Sequence, residues 1–365
     1  MKNIIRQDMK RIFDGLTEEE RDSFKKSTIL FTGAAGFLGF YFINFMTCYQ
    51  KELEIKRIVC LDNFQNGYPK WISKIAEKNC VELYKFNVIT DNIEDIPGAE
   101  SVDYIYHMAS IASPIFYRKY PIETMDANIR GLRSILEFYC ERKIKGLAFF
   151  SSSEIYGDPT PGNIPTPETY RGNVDCQGAR ACYDESKRFG ETMCYLFHEK
   201  YHMPITIIRP FNNYGPGMRL NDSRVPADFA NELRQNRDIK IFSDGSPMRT
   251  FCYISDAITG YLKALCYAQK GFETFNIGID QPEISISQLA EIYLEAGKDI
   301  FGYKRNYQYV ISKDKNYLQN NPNRRCPNIE KARRLLGYRP QVNVKQGVRY
   351  FLEYINECSK EEVIW

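Results

Sequence analysis

Histidine is scarce in this sequence. Only 3 of the 365 residues are His, so a metal centre built on imidazole ligands is not expected. The 11 cysteines include no Cys-x-x-Cys pair, which excludes a zinc knuckle and a thioredoxin-type motif and favours scattered reduced thiols. The sequence therefore predicts chemistry that uses no metal.

Long hydrophobic runs and an excess of one charge are also missing. No apolar stretch approaches the ~20 residues of a membrane-spanning helix, and residues 1–26 lack the apolar core of a signal peptide. Because 49 basic residues face 46 acidic ones, the net charge is only +3, and neither nucleic acid nor a membrane is an expected partner. These absences predict a cytoplasmic globular protein.

A regular alternation of apolar strand-like runs and amphipathic helices extends from residue 27 to about residue 210. Strand–helix–strand order predicts an α/β protein of the Rossmann type, with a doubly wound parallel sheet. Beyond Pro210 the predicted strands and helices alternate less regularly, which predicts a smaller C-terminal α/β substrate lobe. We expect a helical extension over 1–26, an NAD-binding domain with the catalytic residues over 27–210, and a mainly substrate-binding lobe, interleaved with the first, over 211–365.

A glycine-rich loop lies between the first predicted strand and the first helix of this domain. Residues 32–39 read TGAAGFLG, and the spacing of Gly33, Gly36 and Gly39 suits a tight turn, a diphosphate at the helix N-terminus and close helix–strand packing. Asp62 ends the second strand, where a carboxylate accepts the ribose hydroxyls of an adenosine. No Arg follows it immediately to bind a 2′-phosphate, so the pattern favours NAD over NADP.

Two polar clusters suggest a proton-transfer site. Tyr183 and Lys187 share a helix face, and an ammonium beside a phenol is expected to lower its pKa, as a catalytic base requires. Ser152, Ser153 and Glu154 follow a strand, at the sheet edge where ligands bind in such folds. Taken separately, each cluster is also compatible with an exposed helix pair or a simple turn.

In combination these residues resemble the extended short-chain dehydrogenases/reductases that modify nucleotide sugars, from about residue 27 to residue 354. Within that group the sequence is most similar to the UDP-glucuronate decarboxylases. The matching strings are YHMASIASP at 106–114, SSEIYGDP at 152–159, RACYDESKR at 180–188, RPFNNYGP at 209–216 and RCPNI at 325–329.

The resemblance implies a role for each matching residue. Ser152 would assist the base Tyr183, while Ser153 and Glu154 would lie beside C4–C6 of the sugar. The implied cofactor is NAD, bound by Gly33, Gly36, Phe37, Leu38, Asp62, Asn63, Asn87, Val88, Ala109, Tyr183 and Lys187. The implied substrate contacts, several of them to the diphosphate, come from Ser113, Asn212, Arg219, Arg249 and Arg325.

The resemblance also implies the reaction. The sugar is oxidised at C4, the resulting 4-ketone allows the C6 carboxylate to leave as carbon dioxide, and reduction at C4 then gives UDP-xylose. Nucleotide-sugar 4,6-dehydratases and 4-epimerases share the first step, and a non-catalytic protein that binds NAD or a nucleotide sugar is a further alternative. Members of the family commonly form homodimers through two helices per subunit, here expected over 128–142 and 182–201.

Overall fold

Fourteen strands lie in the part of the chain that the computed structural model describes, which comprises residues 2–311, 322–359 and 362. In chain order they are β1 (Thr28–Thr32), β2 (Arg57–Asp62), β3 (Val81–Lys85), β4 (Tyr104–His107), β5 (Gly146–Phe150), β6 (Ile205–Pro210), β7 (Asn213–Tyr214), β8 (Ile239–Ile241), β9 (Met248–Arg249), β10 (Cys252–Tyr253), β11 (Glu273–Ile277), β12 (Ile284–Ser285), β13 (Tyr307–Tyr309) and β14 (Arg324–Arg325).

Helices alternate with the strands of the first half and dominate the second. In the described residues they are α1 (Asn3–Gly15), α2 (Glu18–Ser23), α3 (Phe37–Cys48), α4 (Lys70–Ala76), α5 (Pro114–Lys119), α6 (Pro121–Asp126), α7 (Leu132–Tyr139), α8 (Ala181–Tyr201), α9 (Val225–Arg234), α10 (Ile254–Tyr267), α11 (Ile286–Phe301), α12 (Glu330–Leu336) and α13 (Val344–Glu357). None of these helices combines the length and apolarity that crossing a bilayer requires.

Seven strands form one parallel sheet in the order β3-β2-β1-β4-β5-β6-β11. The first six follow the strand order of a dinucleotide-binding fold, so the predicted doubly wound α/β architecture is confirmed. The seventh strand, β11, lies beyond the boundary predicted at residue 210, because the chain returns to the sheet after its first excursion into the second lobe. The order reverses between β1 and β4, which is where ligands bind in such sheets.

The strands are apolar on both faces because helices cover both faces of the sheet. In β1, Leu30 packs into a layer with residues of α7 and α8, whereas Phe31 points the other way, into a layer with α3 and α10. Every residue of β1 is buried. The sheet therefore gives firm support to the residues at its carboxyl edge.

The N-terminal extension forms two helices that dock on the body of the protein. Ile5, Met9 and Ile12 are buried, and α1 packs against α3, α10 and α13. The buried carboxylate of Asp8 accepts hydrogen bonds from the hydroxyls of Tyr41, at 2.7 Å, and Tyr253, at 2.8 Å. This extension therefore joins the first helix after the glycine loop to the segment that precedes α10.

The second lobe consists of helices α9, α11 and α13 and short sheets near the carboxyl edge of the main sheet. In one of these sheets β9 lies between β12 and β14. The parallel pairing of β9 with β14 sets Arg249 opposite Arg325. Two arginines that are far apart in the sequence are thereby brought to the same wall.

Candidate active site

A cavity of about 780 Å³ lies between the carboxyl edge of the main sheet and the second lobe. Every residue that the sequence predicts to bind the cofactor, bind the substrate or act in catalysis lines this cavity. The fold therefore gathers residues from stretches that are far apart in the sequence.

The glycine loop closes one end of the cavity. Gly33 has a φ of +70°, and a Cβ at this position would lie 2.9 Å from the backbone nitrogen of Ala109. Gly36 is the N-cap of α3 and has no side chain to accept from the first amides of the helix, those of Phe37 and Leu38. Amides without an intrahelical acceptor, at the positive end of a helix dipole, fit the diphosphate of a dinucleotide.

Asp62 lies at the end of β2 beside this loop. One carboxylate oxygen accepts the Phe64 amide at 2.7 Å and the other accepts the Ala35 amide at 2.8 Å. Burial raises the pKa of Asp62, and these two hydrogen bonds oppose the rise. Because each oxygen has a further lone pair, the carboxylate is oriented to accept ribose hydroxyls, which fits the adenosine half of NAD.

The remaining predicted cofactor residues are uncharged and form part of the cavity wall. The side chains of Asn63 and Asn87 each accept a backbone amide two residues further along the chain, at 3.0 Å and 3.1 Å. Val88 is half-buried, and the Ala109 amide donates to the hydroxyl of Thr32 at 3.2 Å. These contacts hold the loops that follow β3 and β4 against the cavity.

Tyr183 is buried at the N-terminal end of α8, with its hydroxyl hydrogen-bonded to Ser152. The predicted lowering of its pKa by Lys187 is wrong for this structure. Burial raises the pKa of Tyr183, and the hydrogen bond to Ser152 only partly opposes this. The ammonium of Lys187 is 5.8 Å from the centre of the Tyr183 ring and donates instead to the carbonyl of Phe150, at 2.7 Å.

Lys187 is itself strongly affected by burial, which lowers its pKa from 10.5 to about 7. Between these two pH values the unfolded chain holds a proton that the folded chain has released, so raising the pH favours the folded state. We expect Lys187→Met to remove this contribution, worth up to about 1.4 kcal/mol per pH unit. The measurement is the unfolding midpoint of wild type and variant from pH 7 to pH 10, at equal cofactor content. If the two midpoints change with pH in parallel, Lys187 does not make this contribution.

Glu154 occupies the short turn after β5 and is paired with two arginines. Arg325 donates to both of its carboxylate oxygens, and Arg180 donates to Oε2, the same oxygen that accepts from Arg325 at 2.6 Å. Burial alone would raise the pKa of Glu154, but the charges of Arg180 and Arg325 outweigh it and hold the pKa well below its usual range. The structure therefore places Arg325 on Glu154, whereas the sequence resemblance placed it on the diphosphate or the sugar.

Three further predicted substrate residues lie along the same wall. The Ser113 hydroxyl donates to the carbonyl of Asp222 at 2.8 Å, and the Asn212 amide donates to that of Thr250 at 2.9 Å. Arg249 donates to the carbonyl of Met248 at 2.8 Å, and burial lowers its pKa to about 9. A cation in such a buried position is stabilised by an anion, which suits a diphosphate.

Arg219, predicted as a substrate contact, lines the cavity on the side of Asp62. Its guanidinium donates to the carbonyl of Asn66, in the loop after β2, and its charge acts on Asp62. An arginine therefore approaches the acid at the end of β2 from a distant part of the chain. No sequence pattern around Asp62 could have shown this approach.

Sequence reasoning also missed two residues of the site. Arg180 binds Glu154, and the ring of Tyr117 stacks on that of Tyr183 with 5.2 Å between ring centres. Arg180 stands in the RACYDESKR string, three residues before Tyr183, so a signal was present. Its partner, however, lies 26 residues earlier in the chain.

Comparison with known proteins adds a family match. The profile of the NAD dependent epimerase/dehydratase family matches residues 29–278. The chain is 33% identical over 321 residues to UDP-glucuronic acid decarboxylase 3 of Arabidopsis thaliana, covering 88% of this chain and 86% of that protein. It is also 33% identical over 342 residues to UDP-glucuronic acid decarboxylase 1 of Xenopus tropicalis, covering 94% of this chain and 74% of that protein.

Among solved structures, UDP-glucuronic acid 4-epimerase from Bacillus cereus, in complex with UDP-glucuronic acid and NAD, superposes with a TM-score of 0.72 at 23% identity, covering 90% of this chain and 99% of that chain. At this identity the likeness shows the fold alone, and that fold agrees with the strand order described above.

Proposed function

Because this chain belongs to the NAD dependent epimerase/dehydratase family, we propose that it decarboxylates UDP-glucuronate to UDP-xylose. The predicted class, an NAD-dependent enzyme acting on a nucleotide sugar, is confirmed by the family and by relatives that are UDP-glucuronic acid decarboxylases. The observation that carries the finer proposal is the Glu154 carboxylate, paired with Arg180 and Arg325 in the cavity that Tyr183 also lines.

The first task of the site is to remove a proton from the C4 hydroxyl of the sugar. We assign Tyr183 as the base. The hydrogen bond with Ser152 and, with NAD bound, the positive charge of the nicotinamide ring would together oppose the rise in the pKa of Tyr183 that burial causes. NAD, when bound, supplies the chemistry of accepting and returning a hydride. The glycine loop and Asp62 are the groups that would hold it, and Lys187, buried one turn along α8, completes this side of the cavity.

The second task is to let the C6 carboxylate leave. Once C4 is a ketone, the bond between C5 and C6 can break because its electron pair moves onto the ketone oxygen as an enolate while carbon dioxide departs. The enolate then takes a proton at C5. Glu154, which Arg180 and Arg325 hold ionised, is the hydrogen-bond acceptor that we assign to the C5–C6 side of the sugar, where it would orient the water that donates this proton.

Arginine and amide donors are expected to hold the rest of the substrate. Asn212 and Arg249 line the same cavity as the catalytic residues, and their donors support a role in binding the diphosphate. Residues of α9 and β8 also line the cavity, and we assign the nucleoside to that side. The cytoplasmic location predicted from the sequence remains a prediction.

Incubation with UDP-glucuronate followed by mass spectrometry tests this proposal. We expect the nucleotide sugar to lose the mass of carbon dioxide, in proportion to the amount of enzyme. A product of unchanged mass would indicate a 4-epimerase instead, and loss of water from neutral hexose nucleotides would indicate a 4,6-dehydratase. Bound NAD without turnover of any sugar in a panel of UDP-, GDP-, CDP- and dTDP-sugars would favour a non-catalytic binding protein.

We also propose a homodimer formed through one apolar face. Helix α6 continues through a π-helical turn, Ala127–Gly131, into α7, and α6 packs against α8. This pair exposes the large apolar side chains of Ile122, Met125, Phe189 and Leu196. The two residues on α8 are two turns apart and therefore share a face, which suits a two-fold interface between copies of the same chain.

Leu196→Glu should convert the dimer to a monomer, because it places a charge in the apolar face that the dimer would bury. Sedimentation at micromolar concentration is expected to give the mass of two chains for wild type and of one chain for the variant. Ile311→Glu is the control, since Ile311 is 96% exposed and lies outside this face. A wild-type protein that sediments as a single chain would contradict the proposed dimer.

A further inference from the structure

Four charged side chains form a buried row beside Tyr183. Arg325 binds Glu154, Glu154 binds Arg180, and the Nε of Arg180 is 3.7 Å from the carboxylate of Asp184. Arg180, Asp184 and Arg325 are each less than a tenth exposed. The proton chemistry described above uses Glu154 and the charge of Arg180 on it, but it leaves Asp184 without a stated role.

Arg180 contacts both the helix that carries Tyr183 and the turn that carries Glu154. Its carbonyl accepts the amides of Tyr183 and Asp184, each at 3.0 Å, and so begins the helix that carries the base. Its guanidinium holds the carboxylate of Glu154, on the turn after β5. The same guanidinium also lies 6.0 Å from the centre of the Tyr117 ring, which stacks on Tyr183.

We propose that Arg180 is a positioning residue that fixes the Glu154 carboxylate relative to the Tyr183 hydroxyl, and that Asp184 holds Arg180 in place. The assignment rests on the proposed function, because it concerns the two groups that act on neighbouring carbons of one sugar. Tyr183 serves C4 and Glu154 serves the C5–C6 side. Their separation must match the substrate for both steps to proceed on one bound molecule.

The two arginines that bind the Glu154 carboxylate have different roles. Arg325 donates to both carboxylate oxygens and can keep the group ionised by itself, but it belongs to β14 of the second lobe. Arg180 is the N-cap of the helix that carries Tyr183, so its side chain ties the Glu154 carboxylate to that helix. Removal of Arg180 should therefore displace Glu154 without disturbing Ser152 or Lys187.

The proposal is tested by comparing the rates of the two chemical steps, oxidation at C4 and release of carbon dioxide. With UDP-glucuronate, Arg180→Gln is expected to form NADH at close to the wild-type rate and to release carbon dioxide about 10²-fold more slowly, because a displacement of ~1 Å of a catalytic group has that effect. Asp184→Asn should shift the same ratio less. Arg180→Lys, which keeps the charge but cannot contact Glu154 and Asp184 together, should give an intermediate ratio, and it replaces Arg180→Gln if that variant does not fold.

Arg188→Gln is the matched control. Arg188 also ties α8 to the turn after β5, through the carbonyl of Ile155 at 3.0 Å, but it does not touch the Glu154 carboxylate. We expect it to lower the unfolding temperature while leaving the ratio of carbon dioxide to NADH as in wild type. Equal ratios in Arg180→Gln and Arg188→Gln would overturn the positioning role.

A second measurement separates this proposal from the proposed function. If wild type releases no carbon dioxide from UDP-glucuronate, the function fails, and the Glu154 carboxyl is followed instead by NMR of isotope-labelled glutamate, its signal identified with Glu154→Gln. The charged and titratable groups that face it are Arg180, Arg325, Asp184, Tyr117, Tyr183 and Arg249. An upward shift of its titration midpoint in Arg180→Gln but not in Arg188→Gln supports the contact, and an unchanged midpoint overturns it.

Discussion

Replacement of Tyr183 by phenylalanine is expected to lower turnover by about 10²–10⁴-fold, the usual contribution of a general base. The ring remains stacked on Tyr117, so the variant loses only the hydroxyl that is bonded to Ser152. The glycine loop and Asp62 are unchanged, and we therefore expect NAD to stay bound. Steady-state decarboxylation and the cofactor content of the purified protein are the two measurements.

Tyr195→Phe is the control for this variant. Tyr195 lies on the same helix but is about half exposed, so loss of its hydroxyl should not change the rate. Wild-type activity in Tyr183→Phe would rule out Tyr183 as the base. A variant that is inactive but has also lost NAD would show that the hydroxyl serves cofactor binding rather than proton transfer.

Gly39→Ala should remove the cofactor and destabilise the fold. A Cβ at Gly39 would lie 2.0 Å from the carbonyl oxygen of Ala34 and 2.7 Å from its carbon. Both atoms are backbone atoms of the glycine loop, so the clash cannot be relieved by turning a side chain and must move α3 away from β1. We expect a loss of about 1–3 kcal/mol in unfolding free energy, typical of overpacking, and an apoprotein on purification.

The same substitution at Gly162 is the comparison. A Cβ there has no other atom within 4 Å, and its backbone is not in the left-handed region, so Gly162→Ala should leave both cofactor content and unfolding temperature unchanged. Full NAD content in Gly39→Ala would mean that the loop adapts, and would contradict the close helix–strand packing inferred for this glycine.

Patterns that are local in the sequence were sufficient for the cofactor half of the site. The glycine loop, the acid at the end of β2 and the Tyr183–Lys187 pair each lie within one strand–turn–helix unit, so spacing and periodicity predict their placement. The apolar strands were recognisable because they are buried on both faces.

Contacts between distant segments could not be predicted in this way. The pairing of Glu154 with Arg325 depends on β14 lying beside β9, and the approach of Arg219 to Asp62 depends on how the second lobe folds over the sheet. The raised pKa of Tyr183 was missed for a related reason. Sharing a helix face with Lys187 says nothing about burial or about the Phe150 carbonyl, which binds the ammonium.

The hydrogen bonds of Asp8 show that the segment matched by the family profile is not the whole folding unit of this protein. The family match begins at residue 29, yet Asp8 satisfies the buried hydroxyls of Tyr41 and Tyr253, both of which lie inside the matched region. A chain trimmed to the family boundary would leave two phenols in the core without an acceptor, at a cost of about 1–3 kcal/mol each. The matched segment thus takes the acceptor for two of its buried hydroxyls from outside its own boundary, and expressing that segment alone would require replacing its two tyrosines.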